Sequence, residues 1–328
     1  MDTLRTKAKQ AIALWFLGFR EACCLHRVVL FCLRSKQLSK RTGQSFLFNG
    51  FIFLGSIFVF NSVVIPTLEW ILPYQCQQFG SQDPCSIGRV EKLYSFLHHG
   101  LIQLFYIFWF YPLYVLSLVL SSMWYNDIAK YAYVAMGRDG PVADAHNQKD
   151  LSKSQNSAHV DKPAGLGGIM IGIGELVYSI LLLTFFFVQI STAGYIPCIG
   201  KALNFLFLSW LYAYYSFEYK WNLDELGIDK RLDFFESNWA FFAGFGSPCV
   251  LAIFFFSPLV SYGVMAVLFP LFVLTATGSK AEQILDSQRR GERLGRLPIF
   301  YIADTLSMRV LSIFMETPPA QKKDKKDT

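Results

Sequence analysis

Charge is scarce in this 328-residue chain. Asp, Glu, Lys and Arg make up 16% of it, against the ~25% of an ordinary soluble protein. The deficit excludes a conventional soluble surface, since 53% of the residues are hydrophobic and 17% aromatic. Histidine is equally sparse. His26, His98, His99, His146 and His159 form no His-Glu-x-x-His motif, and the seven cysteines form no Cys-x-x-Cys pair, so no metal site is expected. No Gly-x-Ser-x-Gly elbow is present, and the glycine-rich stretch Gly165–Gly174 lacks the Lys-Ser/Thr of a phosphate-binding loop. The net charge of +6 is dispersed beside apolar blocks, which argues against a nucleic-acid groove. A cleavable leader is not expected, because Arg20, Glu21, His26 and Arg27 interrupt the first apolar stretch. The expectation is a non-enzymatic protein without a cofactor.

What the chain does have is apolar blocks of membrane-spanning length. Phe46–Leu72 and Leu101–Tyr125 each exceed the ~20 residues needed to cross a bilayer, and Ile169–Ile190 and Ala202–Phe217 follow. Trp239–Ser257 and Leu259–Thr277 read either as two short spans or as a re-entrant pair. The predicted architecture is all-α: a multi-pass membrane domain over 44–278 with about six spanning or partly spanning helices. A basic arm precedes it at 1–43, with amphipathic character between Ala8 and Leu33 that fits a helix lying in the interface. Cys23 and Cys24 there are either palmitoylation sites or inert thiols. A polar loop is expected over 126–165 and a charged link over 218–238. The basic tail, 279–328, contains a second interfacial helix near 297–315, with Ile299, Ile302, Leu306, Val310 and Ile313 on one face.

Under six spans, 27 Lys and Arg fall on the side of the termini and 3 on the other. That asymmetry puts both termini in the cytosol. The chain ends Lys325-Lys326-Asp327-Thr328, a Lys-Lys-x-x pattern read by coat and retrieval machinery as an endoplasmic-reticulum address. The alternative is a polybasic tail attracted to anionic membrane lipid. Glu225, Lys230 and Arg231 of the link are candidates for cytosolic partner contacts. Cys76 and Cys85 fall on the oxidising lumenal side as a candidate disulfide, with a free pair as the alternative.

Glu175 lies about 9 Å inside the third span. A central charge costs about 3 kcal/mol on insertion scales, which the span's fourteen Leu, Ile, Phe and Val residues outweigh. Glu175 is therefore either an intramembrane functional residue or an acid hydrogen-bonded to a neighbouring helix. Pro112 in YPLYVLS (111–117) and Pro270 in FPLFVLT (269–275) interrupt the second and sixth spans alike. Paired broken spans point to a transport site, unless the repeat is chance.

The segments VVIPTLEW (63–70), YPLYVLSLVLSSMWYNDIA (111–129), FEYKW (217–221), RLDFFESNWAFFAGFGSP (231–248) and FPLFVLTA (269–276) together resemble the etoposide-induced protein 2.4 family. The likeness covers roughly residues 44–280. It implies a multi-pass endoplasmic-reticulum protein linked to autophagy and growth control, with autophagy-related membrane factors as partners. The family is distantly similar to bacterial sulfate-uptake proteins of the CysZ type, which implies small-anion transport as an alternative. No Lys or Arg lies in the apolar core of a span to attract an anion, although backbone amides at broken helices, such as one over Gly244–Pro248, could do so instead.

Overall fold

A computed structural model describes residues 2–71, 88–137, 166–288 and 294–315. The described residues are helical and contain no strand. In chain order the elements are α1 (Asp2–Ala22), α2 (Leu25–Arg34), α3 (Lys36–Phe46), a π-helical segment Leu47–Leu54, α4 (Gly55–Val59), a second π segment Phe60–Val64, and α5 (Ile65–Ile71). Then come α6 (Gly88–Ala135), α7 (Leu166–Ala193), α8 (Gly200–Leu223), α9 (Ile228–Ser237), α10 (Trp239–Ile253), α11 (Pro258–Gly278), α12 (Ala281–Gln288) and α13 (Tyr301–Met315). The protein is an all-α membrane protein. Lys36–Thr67, Ile107–Ala135 and Pro258–Gly278 are long and apolar enough to cross a bilayer, whereas Val177–Ala193 and Trp239–Ile253 are shorter.

Two compact units divide the chain, one drawn from Met1–Glu21, Pro141–Ser247 and Lys280–Thr328, the other from Ala22–Gly140 and Pro248–Ser279. The basic arm therefore does not form one interfacial helix. It breaks at Cys23-Cys24 into α1, which belongs to the first unit, and α2, which belongs to the second.

In the second unit, Phe53, Ile57, Phe60 and Phe110 form a buried cluster supported by Leu113, Leu259 and Tyr262. Asn49 meets Ser117 and Ser121, while Phe60 meets Phe110, so the first span and α6 run antiparallel. α2 buries Val28 and Phe31 and exposes Leu25, Val29, Leu30 and Leu33, an outward apolar face suited to lipid. α6 runs on to Ala135, so the polar loop expected from residue 126 starts at least ten residues later than its composition indicates. α10 and α11 join through Phe254–Ser257, where Phe254, Phe255 and Phe256 are exposed and Ser261 Oγ donates to the Ile253 carbonyl at 2.8 Å. Fifteen residues of α10 rise only about 22 Å, less than the ~30 Å hydrocarbon core.

In the first unit, α7 and α8 form a hairpin closed by Gly194–Ile199. Gly200 sits against the carbonyls of Ala193 and Gly194, where a Cβ would crowd them. Phe217 and Trp221 of α8, Phe235 of α9, and Phe242 and Phe245 of α10 make an aromatic core, with Phe235 stacked on Phe242 at 4.3 Å. The glycines of GFGSP explain themselves here. Gly244 packs on the backbone of Trp15 in α1 and Gly246 on that of Ser209 in α8, so α10 is crossed closely by both. α13 lies antiparallel along α7, since Phe300 stacks near Phe186 and Asp304 meets Tyr178.

Candidate functional site

The first unit carries its polar chemistry at the end of α8, around α9 and ahead of α13. α8 stops in a Schellman-type turn: Glu225 takes φ 50°, the left-handed region usually left to glycine, and Leu226 N–H donates back to Trp221 O at 3.0 Å. Arg231 then reaches back from α9. Its guanidinium donates to the Leu226 carbonyl and, at 2.6 Å, to Asn222 Oδ1. It is only 8% exposed. The expectation that Arg231 serves partner contacts is thus corrected: the turn needs its donors, and burial removes it from the surface. Glu225 and Lys230 of the same link are exposed.

Glu236, 3% exposed, organises the next layer. Its carboxylate accepts from Arg296 at 2.8 and 2.9 Å and from the Phe300 backbone N–H at 3.0 Å. Arg296 also pairs with Asp233 at 2.9 Å. The hydrogen bond to Glu236 pushes the Arg296 guanidinium further above its ordinary value. Lys220, 1% exposed, is paired with Glu282 of α12 at 3.5 Å. These ties fasten the segments that follow α11 onto the aromatic core. Around them opens a cavity of about 510 Å³ lined by Tyr178, Asp229, Lys230, Asp233, Arg296 and Asp304. It combines both charge signs with a phenol and suits polar side-chain recognition. Among the described residues no group of three His, Cys, Asp or Glu is placed to hold a metal ion.

α13 packs through residues other than the apolar face of Ile299, Ile302, Leu306, Val310 and Ile313 read from the sequence. The residues turned inward are Ala303 and Ser307, fully buried, with Asp304 accepting from Tyr178 Oη at 2.6 Å. Ile302, Leu306 and Ile313 are exposed. In a bilayer small and polar residues hold helices together while apolar ones face lipid.

The second unit assembles one of the sequence candidates. Pro270 is buried in α11, and lacking an N–H it leaves the carbonyl four residues earlier, Ala266 O, without its helical donor. Asn49 Nδ2 fills that vacancy at 3.2 Å and Tyr125 Oη at 3.0 Å. Asn49 Oδ1 accepts from Ser117 Oγ at 2.8 Å. Asn49 is completely buried in the π-helical segment; it belongs to no motif, and its mark in the sequence is a polar amide within an apolar run. Pro112 is exposed within α6. The two proline motifs therefore do not occupy equivalent places. The break expected at Gly244–Pro248 is also absent, because α10 runs through it as a helix and both glycines are covered by neighbouring backbone. The side chain of Glu175, in α7, and Cys76, Cys85, Lys325 and Lys326 lie outside the described residues.

Comparison with known proteins identifies relatives of this chain. The family described as Sulfate transporter CysZ/Etoposide-induced protein 2.4 matches over residues 24–270. "Protein EI24 homolog" of Arabidopsis thaliana is 61% identical over 320 residues, 96% of this chain and 99% of the relative. A "Protein EI24 homolog" of Dictyostelium discoideum is 24% identical over 96% of this chain and 89% of its own. "Ectopic P granules protein 4" of Caenorhabditis elegans is 28% identical over 50% of this chain and 46% of its own. No solved structure matches significantly. On the extent of the match, the chain belongs to the Sulfate transporter CysZ/Etoposide-induced protein 2.4 family.

Proposed function

We propose that the protein is a non-enzymatic endoplasmic-reticulum membrane protein acting in autophagy and growth control, with both termini in the cytosol. The observation that carries this reading is the near full-length likeness to a homolog in the etoposide-induced protein 2.4 group. The terminal Lys325-Lys326-Asp327-Thr328 supports the address, and the 27-to-3 distribution of basic residues supports the orientation. The helices also favour an even topology. The first span with α6 and α7 with α8 are each hairpins, and a hairpin returns to the side it left whatever its depth. The cavity bounded by Asp229, Lys230 and Arg296 is the contact face for cytosolic membrane factors.

The small-anion alternative draws less support. The polar groups gathered around Asn49 in the second unit are neutral and satisfy one another, and the glycines of GFGSP are covered by neighbouring backbone. Cells lacking the protein should show slowed autophagic flux, and re-expression should restore it. A Lys325→Ser/Lys326→Ser form should leave the reticular compartment and restore flux poorly. Normal flux in the deficient cells would sink the autophagy reading, and an unchanged distribution of the double variant would sink the retrieval reading.

A further inference from the structure

α1 has two dissimilar sides. Where it crosses α10, Gly18 packs on Phe241 and Phe245 while Trp15 backbone packs on Gly244. Beside that crossing a cleft of about 200 Å³ opens, lined by Ala11, Ile12 and Trp15 of α1, Leu206 of α8, and Trp239 and Ala243 of α10. Its walls are wholly apolar. The outer side of α1 is apolar too, with Leu4, Ile12 and Phe16 at 78, 57 and 61% exposure. Such a surface fits lipid and not water.

Three observations identify the occupant. Trp239 opens a stretch to Ser279 that contains no charged residue, and a tryptophan on each wall, Trp15 and Trp239, is the side chain favoured at the headgroup boundary. The cleft therefore belongs at the level where acyl chains begin. The volume suits part of one such chain. Finally, α1 carries no acid from Thr3 to Arg20 but has Arg5, Lys7 and Lys9. Lys7 is one turn before Ala11 and Arg5 two turns before Ile12, each on the same side of the helix as its wall residue. Long basic side chains bury their stems and lift their charges toward headgroups.

We propose that this cleft binds one acyl chain of an anionic glycerophospholipid whose headgroup phosphate is held by Lys7 and Arg5. The cleft supplies chain-shaped apolar contact and the two cations supply the preference for net negative charge. A lipid seated there contacts α1, α8 and α10 together, so it ties the amino-terminal helix to the helices it crosses.

The full-length protein, reconstituted with acyl-brominated phosphatidylserine or acyl-brominated phosphatidylcholine in an unlabelled phosphatidylcholine background, provides the test. Bromine quenches nearby tryptophan, and the Trp15→Phe/Trp239→Phe variant isolates the contribution of the cleft from the other five tryptophans. Half-maximal quenching of the Trp15/Trp239 signal is expected at a roughly tenfold lower mole fraction of brominated phosphatidylserine. Arg5→Gln/Lys7→Gln, which leaves every wall residue in place, should bring the two lipids together without changing the emission maximum or the helical circular dichroism. Equal quenching by both lipids in the unmodified protein overturns the proposal. So does a preference that survives Arg5→Gln/Lys7→Gln. Absence of quenching by either lipid, with tryptophan emission intact, means that protein covers the cleft, and overturns it as well.

Discussion

Gly246→Ala should lower the stability of the purified protein by about 3 kcal/mol or more, read as a fall in its midpoint of unfolding by denaturing detergent. A Cβ at Gly246 would enter the backbone carbonyl of Ser209 in α8, and no side chain is available to swing away. The backbones must part, which opens the aromatic core of Phe217, Phe242 and Phe245. Gly244→Ala should behave alike, because its Cβ would meet the Trp15 carbonyl of α1. Gly55→Ala provides the control: nothing lies within 4 Å of its Cβ position, and a helical Gly→Ala change there should be neutral or stabilise by up to about 1 kcal/mol. The outcome that refutes the close crossings is a Gly246→Ala protein as robust as Gly55→Ala.

The same residues show where sequence reasoning reached and where it stopped. Apolar block length located the hairpins, because backbone polar groups in lipid must be satisfied within a helix. It did not give depth: Trp239–Ser257 reads as either a short span or half of a re-entrant pair, and the helix there ends at Ile253 after about 22 Å. The apolar stripe of α13 was legible in the sequence, whereas the small residues that pack it against α7 were not. In water an apolar stripe marks the packing face, but beside lipid the stripe of Ile302, Leu306 and Ile313 gains nothing by turning inward, and Ala303 and Ser307 pack instead. Charge misled at Arg231, where a short polar link suggests a solvated surface. The left-handed Glu225 leaves the Leu226 carbonyl exposed at the helix end, and the guanidinium is drawn in to satisfy it. GFGSP was identified as a marked segment, but its glycines serve two backbone crossings, which a single sequence does not distinguish from a broken helix.

The buried polar network of the second unit makes a sharper prediction, because it contains its own control. Asn49→Ala removes one of two donors to Ala266 O and the acceptor for Ser117 Oγ. Leaving Ser117 Oγ without its acceptor costs about 1–3 kcal/mol, and losing one of the two hydrogen bonds to Ala266 O, which keeps Tyr125 as a donor, costs about 1 kcal/mol more. Part of that cost exists only because residue 270 is a proline. In Pro270→Ala the new N–H donates to Ala266 O along the helix, so the carbonyl no longer depends on Asn49. Asn49→Ala should then cost about 1 kcal/mol less in the Pro270→Ala protein than in the unmodified one. Pro112→Ala, at an exposed position in α6, should show no such coupling. If the losses from Asn49→Ala and Pro270→Ala add within about 0.4 kcal/mol, the two residues are energetically independent and the capture of the proline's orphan carbonyl by Asn49 is wrong. If they couple, Asn49 and Pro270 form one device: the carbonyl that the proline releases from the α11 ladder fixes the register of the first span against it.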